Sequence, residues 1–200
     1  MKKIAFTALL TALTISGCST KTQYIDAADT QTNVVAALSY ADFYKATQEM
    51  SKEIIDSKLM THPKADQGGR YILYINNIEN DTMQRIDTDQ LSKSLRVELL
   101  QSGKFLITTA FGEDDATTKM RDLKGSTMVK ASSVKKDHKV LAPDFSLSGK
   151  ILQRNSTLDN GDTRIEYYFQ MSLTNIENGL AYWEGERVVG KVADGDSVSW

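Results

Sequence analysis

Phe145-Ser146-Leu147-Ser148-Gly149-Lys150-Ile151 alternates apolar and polar or small residues, and Ile165, Tyr167, Phe169, Met171 and Leu173 alternate back. Successive strand side chains point to opposite faces, so each stretch reads as a strand with one apolar face. Between them, Asp159-Asn160-Gly161-Asp162 closes a hairpin. Asn178-Gly179 makes a second tight turn, leading through Leu180-Ala181-Tyr182-Trp183 into a strand that runs to about Val192. Three antiparallel strands in succession define half of a sheet.

Upstream the period changes. Ser39 and Asp42 have capping-box spacing, and Phe43, Thr47, Met50, Ile54 and Leu59 follow at helical intervals. A helix over 40–61 is predicted, ended by His62-Pro63. Gly68-Gly69 turns the chain into 70–75, which is apolar on both faces and therefore a central strand with cover on each side. Asn76 to Thr82 reads as a polar loop. Asp87 and Gln90 open a second helix with Leu91, Leu95 and Leu99 as its buried stripe, and Ser102-Gly103 stops it. Residues 104–109 form a short strand. Glu113-Asp114-Asp115 suits a helix start, with Met120 and Leu123 facing inward, and 128–134 suggests one more helical piece. The expected fold is α/β (α+β) over 39–192. It is a single mixed β-sheet of four to five strands packed with helices, in the order β-α-β-α-β-β-β, with 193–200 as a frayed tail.

At 200 residues, 40% hydrophobic and 25% charged, the chain has the composition of one globular domain plus a leader. Its formal charge of −2 gives no reason to expect nucleic acid or anionic lipid as a partner. With a single cysteine no disulfide forms within the chain, so the core alone must hold the fold.

That cysteine ends a distinctive leader. Met1-Lys2-Lys3 is followed by about a dozen apolar or small residues, the pattern of a secretory signal. An apolar core of this length covers only ~18 Å as a helix, too short for a ~30 Å hydrocarbon layer. Ile15-Ser16-Gly17-Cys18 resembles the bacterial lipobox. The resemblance implies removal of 1–17 and a thioether-linked diacylglycerol plus an N-acyl chain on Cys18. It implies no other cofactor. Ser19 after the cysteine favours the outer membrane, on the periplasmic side. Loss of Lys2 and Lys3 takes the charge from −2 to −4. Residues 18–38 then read as a flexible tether, spanning roughly 25 Å as a coil and about 70 Å when stretched.

Few residues suggest chemistry. His62 and His138 share no ligand spacing, and a lipidated Cys18 leaves no thiol for catalysis or zinc. Asp159-Asn160-Gly161-Asp162 lacks the length and terminal Glu of a calcium loop, and Glu113-Asp114-Asp115 fits a helix start better than a carboxylate pair. No phosphate-binding glycine loop links a strand to a helix. No metal site and no enzymatic activity are expected. The exception to this blandness is basic. Lys119, Arg121, Lys124, Lys130, Lys135, Lys136 and Lys139 stand against Asp122 and Asp137, a net +5 in an acidic chain. The segment is a candidate partner-binding patch for an acidic protein surface or for peptidoglycan.

The order of lipobox, polar tether, strand Tyr71–Ile75 with its Asn-rich exit, helix and strand resembles the LpoB-type lipoproteins. Gly103-Lys104-Phe105, the block from Pro143 to Ile151, and Gly179-Leu180-Ala181-Tyr182-Trp183-Glu184-Gly185-Glu186 carry the likeness. The resemblance implies a non-catalytic protein that binds and activates a bifunctional penicillin-binding protein, regulating peptidoglycan synthesis. Accessory lipoproteins of outer-membrane assembly or secretion with a CsgG-like domain, and cell-wall-binding lipoproteins, are the alternatives.

Overall fold

A computed structural model of the chain describes residues 24–29, 34–109, 127, 130 and 140–194. Among these are two α-helices, two short 3-10 turns (Lys58–Met60 and Ala65–Gln67) and six strands that form one mixed sheet: α1 (Tyr40–Asp56), β1 (Tyr71–Ile75), β2 (Glu79–Asp81), α2 (Thr88–Gln101), β3 (Phe105–Ile107), β4 (Phe145–Thr157), β5 (Thr163–Asn175) and β6 (Ala181–Ala193). Across the sheet the order is β3-β1-β4-β5-β6, with β2 also paired to β4. The pairs β1–β3, β1–β4 and β2–β4 are parallel; β4–β5 and β5–β6 are antiparallel.

The expected α+β class and its mixed sheet hold, and β1 lies inside the sheet between β3 and β4, with only Leu73 and Ile75 buried. Two expectations change. The stretch read as a loop contains β2, whose Glu79, Asn80 and Asp81 pair with Lys150, Ile151 and Leu152. All three β2 residues are exposed, so no apolar alternation announces the strand, and the count rises from four or five to six. The first helix ends at Asp56 rather than 61, because Ser57 turns to extended backbone at φ −63°, ψ 127°. Leu59, expected on the buried stripe, is therefore 61% exposed, and Met60 is buried in its place. The helical pieces expected at 113–134 lie outside the described residues, apart from isolated positions.

Register puts one apolar row on one face. Leu73 pairs with Phe145 and Ile75 with Leu147. Leu147 pairs with Leu173 and Ile151 with Phe169, and all of these are buried. α1 contributes Phe43, Met50 and Ile54 to the same core, and α2 contributes Leu91, Leu95 and Leu99. Phe43 meets Phe169 edge-on at 5.8 Å between ring centroids. At about 1.5–3 kcal/mol for each large apolar side chain buried, this face supplies the main stabilisation. The opposite face carries polar pairs: Gln170 Nε2 donates to Glu186 at 2.7 Å, and Arg154 lies 5.4 Å above the Tyr168 ring.

α1 is fixed at both ends. Ser39 and Asp42 form the expected capping box, with Ser39 N–H donating to Asp42 Oδ2 at 2.8 Å. Lys191 Nζ from the end of β6 donates to that Asp42 oxygen at 2.7 Å, with the two side chains only 8% and 10% exposed. The last turn of α1 has no basic residue of its own, and Lys104 Nζ supplies the charge by donating to Ile55 O at 2.5 Å. Midway, Arg187 of β6 bonds Glu49 at 2.8 Å and also Glu53. Burial pulls the Arg187 guanidinium down, but hydrogen bonds and charge from Glu53 and Glu49 outweigh it and raise its pKa.

A buried charge stripped of its partner costs several kcal/mol, whereas an exposed pair contributes little. Lys191→Met is expected to lower stability by roughly 3–5 kcal/mol in a denaturant titration. Lys52→Ala, which breaks the exposed Lys52–Asp56 pair, should cost under about 1 kcal/mol in the same titration. Gly185 permits a second test. A Cβ there would come within 2.3 Å of the Trp183 indole, which lies over the glycine. Gly185→Ala should displace the ring, shifting its fluorescence to the red and costing about 1–3 kcal/mol.

Candidate interaction surface

The residues singled out in the sequence divide unevenly. Cys18, Lys119, Arg121, Lys124, Lys135, Lys136 and Lys139 lie outside the described residues, as do His138 and Glu113-Asp114-Asp115. Lys130 is described and exposed. Asp159 to Asp162 forms the expected hairpin turn, where Asn160 Nδ2 donates to Asp162 Oδ2 at 2.7 Å and Leu158 N–H to Asp162 O at 2.8 Å. His62 is a structural turn residue: its Nδ1 accepts from Lys64 N–H at 3.1 Å, and its ring meets Tyr71 edge-on at 4.9 Å. Among the described residues no group of three or more His, Cys, Asp or Glu is placed to hold a metal ion.

The sequence fragments that carry the resemblance meet at one end of the sheet, where β1, β3, β4 and β6 begin and β5 ends. Gly103 ends α2 in the left-handed conformation at φ 72°, Lys104 caps α1, and Phe105 is fully buried. Asp144 N–H donates to Ile72 O at 2.8 Å, and the Asp144 carboxylate accepts Ile72 N–H at 2.7 Å. Rings continue across the strands, Tyr71 on Phe145 at 5.0 Å and Phe145 on Tyr182 at 5.1 Å. Burial, with Asp144 and Tyr182 nearby, pushes the Tyr71 phenol up, so it stays a neutral donor.

A register shift sits between Leu173, opposite Trp183, and Thr174, opposite Ala181. Tyr182 is the extra residue of this bulge, and a bulge re-aims side chains. It brings both Tyr182 and Trp183 to the helix side of the sheet. There Trp183 and Arg187 form one wall of an open groove of about 660 Å³, with Glu49, Lys52, Glu53, Asp56 and Ser57 of the α1 end as the other.

The opposite end of the sheet holds the segment before α1. Lys191 Nζ donates to Val35 O at 2.9 Å and Ala37 O at 2.6 Å, and Tyr167 O–H to Ala36 O at 3.2 Å. Gln84 accepts Leu38 N–H at 3.2 Å and donates to Tyr167 at 2.5 Å. Residues 34–38, the last part of the expected tether, are strapped to the domain. Burial raises the Tyr167 phenol, against the hydrogen bond from Gln84, which lowers it. Neither the strap nor the Arg187 fork has a sequence signal, because their partners lie more than 45 residues apart.

Among solved structures the fold is similar to the LpoB C-terminal domain from Salmonella enterica, at 17% identity and TM-score 0.45 over 74% of this chain and 98% of that one. The LpoB C-terminal domain from Escherichia coli follows, at 15% and 0.43 over 75% and 99%. Lipoprotein GNA1162 from Neisseria meningitidis gives 17% and 0.40 over 62% and 84%. No curated protein matches the chain in sequence. The family model described as peptidoglycan-synthase activator LpoB matches residues 42–189, from the first turn of α1 to the later part of β6. That span takes in most of α1 and β6, every element between them and every fragment gathered at the aromatic end, and the chain belongs to the LpoB family of peptidoglycan-synthase activators.

Proposed function

We propose that this protein is an outer-membrane-anchored periplasmic lipoprotein that binds a bifunctional penicillin-binding protein and raises its synthetic activity. The family match over 42–189 carries this reading. The domain supports it by its construction. Among the described residues, the Arg187 fork and the Lys191 cluster spend their polar groups on joining elements. On this reading the domain acts by binding. It shifts the synthase toward a more active state only as far as it binds that state more tightly, and a tenfold difference in affinity corresponds to about 1.4 kcal/mol. Cys18 supplies the anchor: a single acyl chain holds marginally at ~0.8 kcal/mol per buried methylene, and three hold stably.

The test uses the full chain in detergent with a purified bifunctional synthase and its lipid-linked precursor. A several-fold, saturable rise in the initial rate of glycan polymerisation is expected, with the synthase, labelled by fluorescent penicillin, retained on the immobilised chain. No rise and no retention would overturn the reading. The anchor is tested separately, since Cys18→Ser should abolish uptake of labelled palmitate and move the protein to the soluble envelope fraction. Normal labelling of that variant would remove lipidation at Cys18.

A further inference from the structure

We propose that the synthase docks on the end of the domain where β6 begins, on the Trp183 groove and the exposed apolar side chains of the same end, while the tether leaves from the opposite end. This rests on the activator reading and adds to it the surface and the kind of contact.

Leu59, Ile176 and Leu180 are 61%, 48% and 60% exposed. They come from the turn after α1 and from the connection between β5 and β6, all at this end. Val34, Val35 and Val192 are exposed at the strap end as well, and what distinguishes the Trp183 end is the groove between α1 and β6. The groove has the anatomy of an interface, with an aromatic wall from Trp183 and a polar rim from Asp56, Ser57, Glu49 and Glu53. The groove on the outer face of the sheet is different, since Gln170, Ser172, Glu184 and Glu186 line it.

Charge narrows the occupant. Glu49, Glu53 and Asp56 against Lys52 and Arg187 leave the groove at −1. Arg187 engages one oxygen each of Glu49 and Glu53, and Lys52 one of Asp56, so the second oxygen of each carboxylate can accept from a partner. A protein surface with an aliphatic or aromatic anchor beside Lys or Arg complements this, whereas an acidic one is repelled.

The course of the chain argues for the same end. Residues before 34 enter through the strap, which Lys191 and Tyr167 hold beside the end of β6. β5 and β6 run for 13 residues each, a length of roughly 40 Å at ~3.3 Å per residue. A chain anchored through its N-terminus therefore presents the Trp183 end farthest from its anchor.

The experiment measures the affinity of the full chain in detergent for the purified synthase, with three variants. Leu59→Asp and Leu180→Asp each change an exposed side chain at this end, and Val192→Asp, also exposed at 61%, is the same change on the outer face at the strap end. Leu59→Asp and Leu180→Asp are expected to weaken binding at least tenfold with unchanged melting temperature, and Val192→Asp less than twofold. Affinity should also fall as salt rises, and recover in low salt. Binding unchanged in the first two variants, or equally weakened in Val192→Asp, overturns the surface but leaves the activator reading in place. Failure of the unmodified chain to bind any synthase removes both. Self-association of the unmodified chain that Leu180→Asp abolishes would make a second copy the occupant and likewise overturn the proposal.

Discussion

One aspartate completes the joint on which the sheet depends. β1 and β4 meet in a parallel ladder of only three residue pairs, Leu73–Phe145 to Ile75–Leu147. Parallel strands gain no help from a hairpin, so such a seam must be secured by other means. Asp144 extends the ladder beyond its first pair. Its backbone N–H reaches Ile72 O, its carboxylate takes Ile72 N–H, and its carbonyl accepts Ile176 N–H at 2.9 Å from the connection after β5. Asp144 thus bonds both to β1 and to the connection after β5, joining the helical half of the chain to the meander and its second turn at this seam. The alignment of Tyr71, Phe145 and Tyr182 follows from that seam.

α1 does for the faces what Asp144 does for the edges. Its apolar residues supply energy without direction, because burial is proportional to area and indifferent to angle. Direction comes from the charges. Lys191 holds the N-terminal end, Arg187 straddles Glu49 and Glu53, and Lys104 takes the last turn. The partly exposed Arg187 pairs add only about 0–1 kcal/mol each, unlike the buried Lys191–Asp42 pair. Their effect here is to choose one placement of the helix among several that would bury similar area. The Trp183 groove exists only in that placement, since one wall is the α1 end and the other is β6.

How much of this was legible in the sequence follows from the range of each interaction. Alternation along 145–151 and 165–173 is a local signal amplified by burial of every second residue, and the meander follows from it. β2 left no trace, because its three exposed residues are selected by pairing with β4 and by nothing they bury. Leu59 kept helical spacing after the helix had stopped, since spacing records a possible face and not the backbone turn at Ser57. For the candidate surface, Gly103-Lys104-Phe105 and Trp183 with Gly185 stood out as fragments, but their roles required three dimensions. Lys104 caps a helix 49 residues earlier. Gly185 is small because Trp183 lies on it. The basic run at 119–139 has the opposite character: conspicuous as a charge pattern, it lies, like Cys18, outside the described residues, Lys130 apart.

The two ends of the sheet bear different loads. Pull on the N-terminal stretch reaches the domain through the strap, where Lys191 and Tyr167 bond backbone carbonyls of residues 35–37 beside the α1 cap. Force entering there runs along β5 and β6, whose 13-residue strands lie in the middle and at one side of an antiparallel ladder. A ladder loaded along its strands shares the force over many backbone hydrogen bonds, each worth about 0.5–1.5 kcal/mol net, rather than opening at one. The Trp183 groove at the far end is built from the C-terminal half of α1 and from β6 just past the bulge beside Leu173, at the other end of the sheet from the strap. On the proposed reading, the length and tension of the tether therefore set where the domain reaches, while the shape it presents to a synthase stays the same.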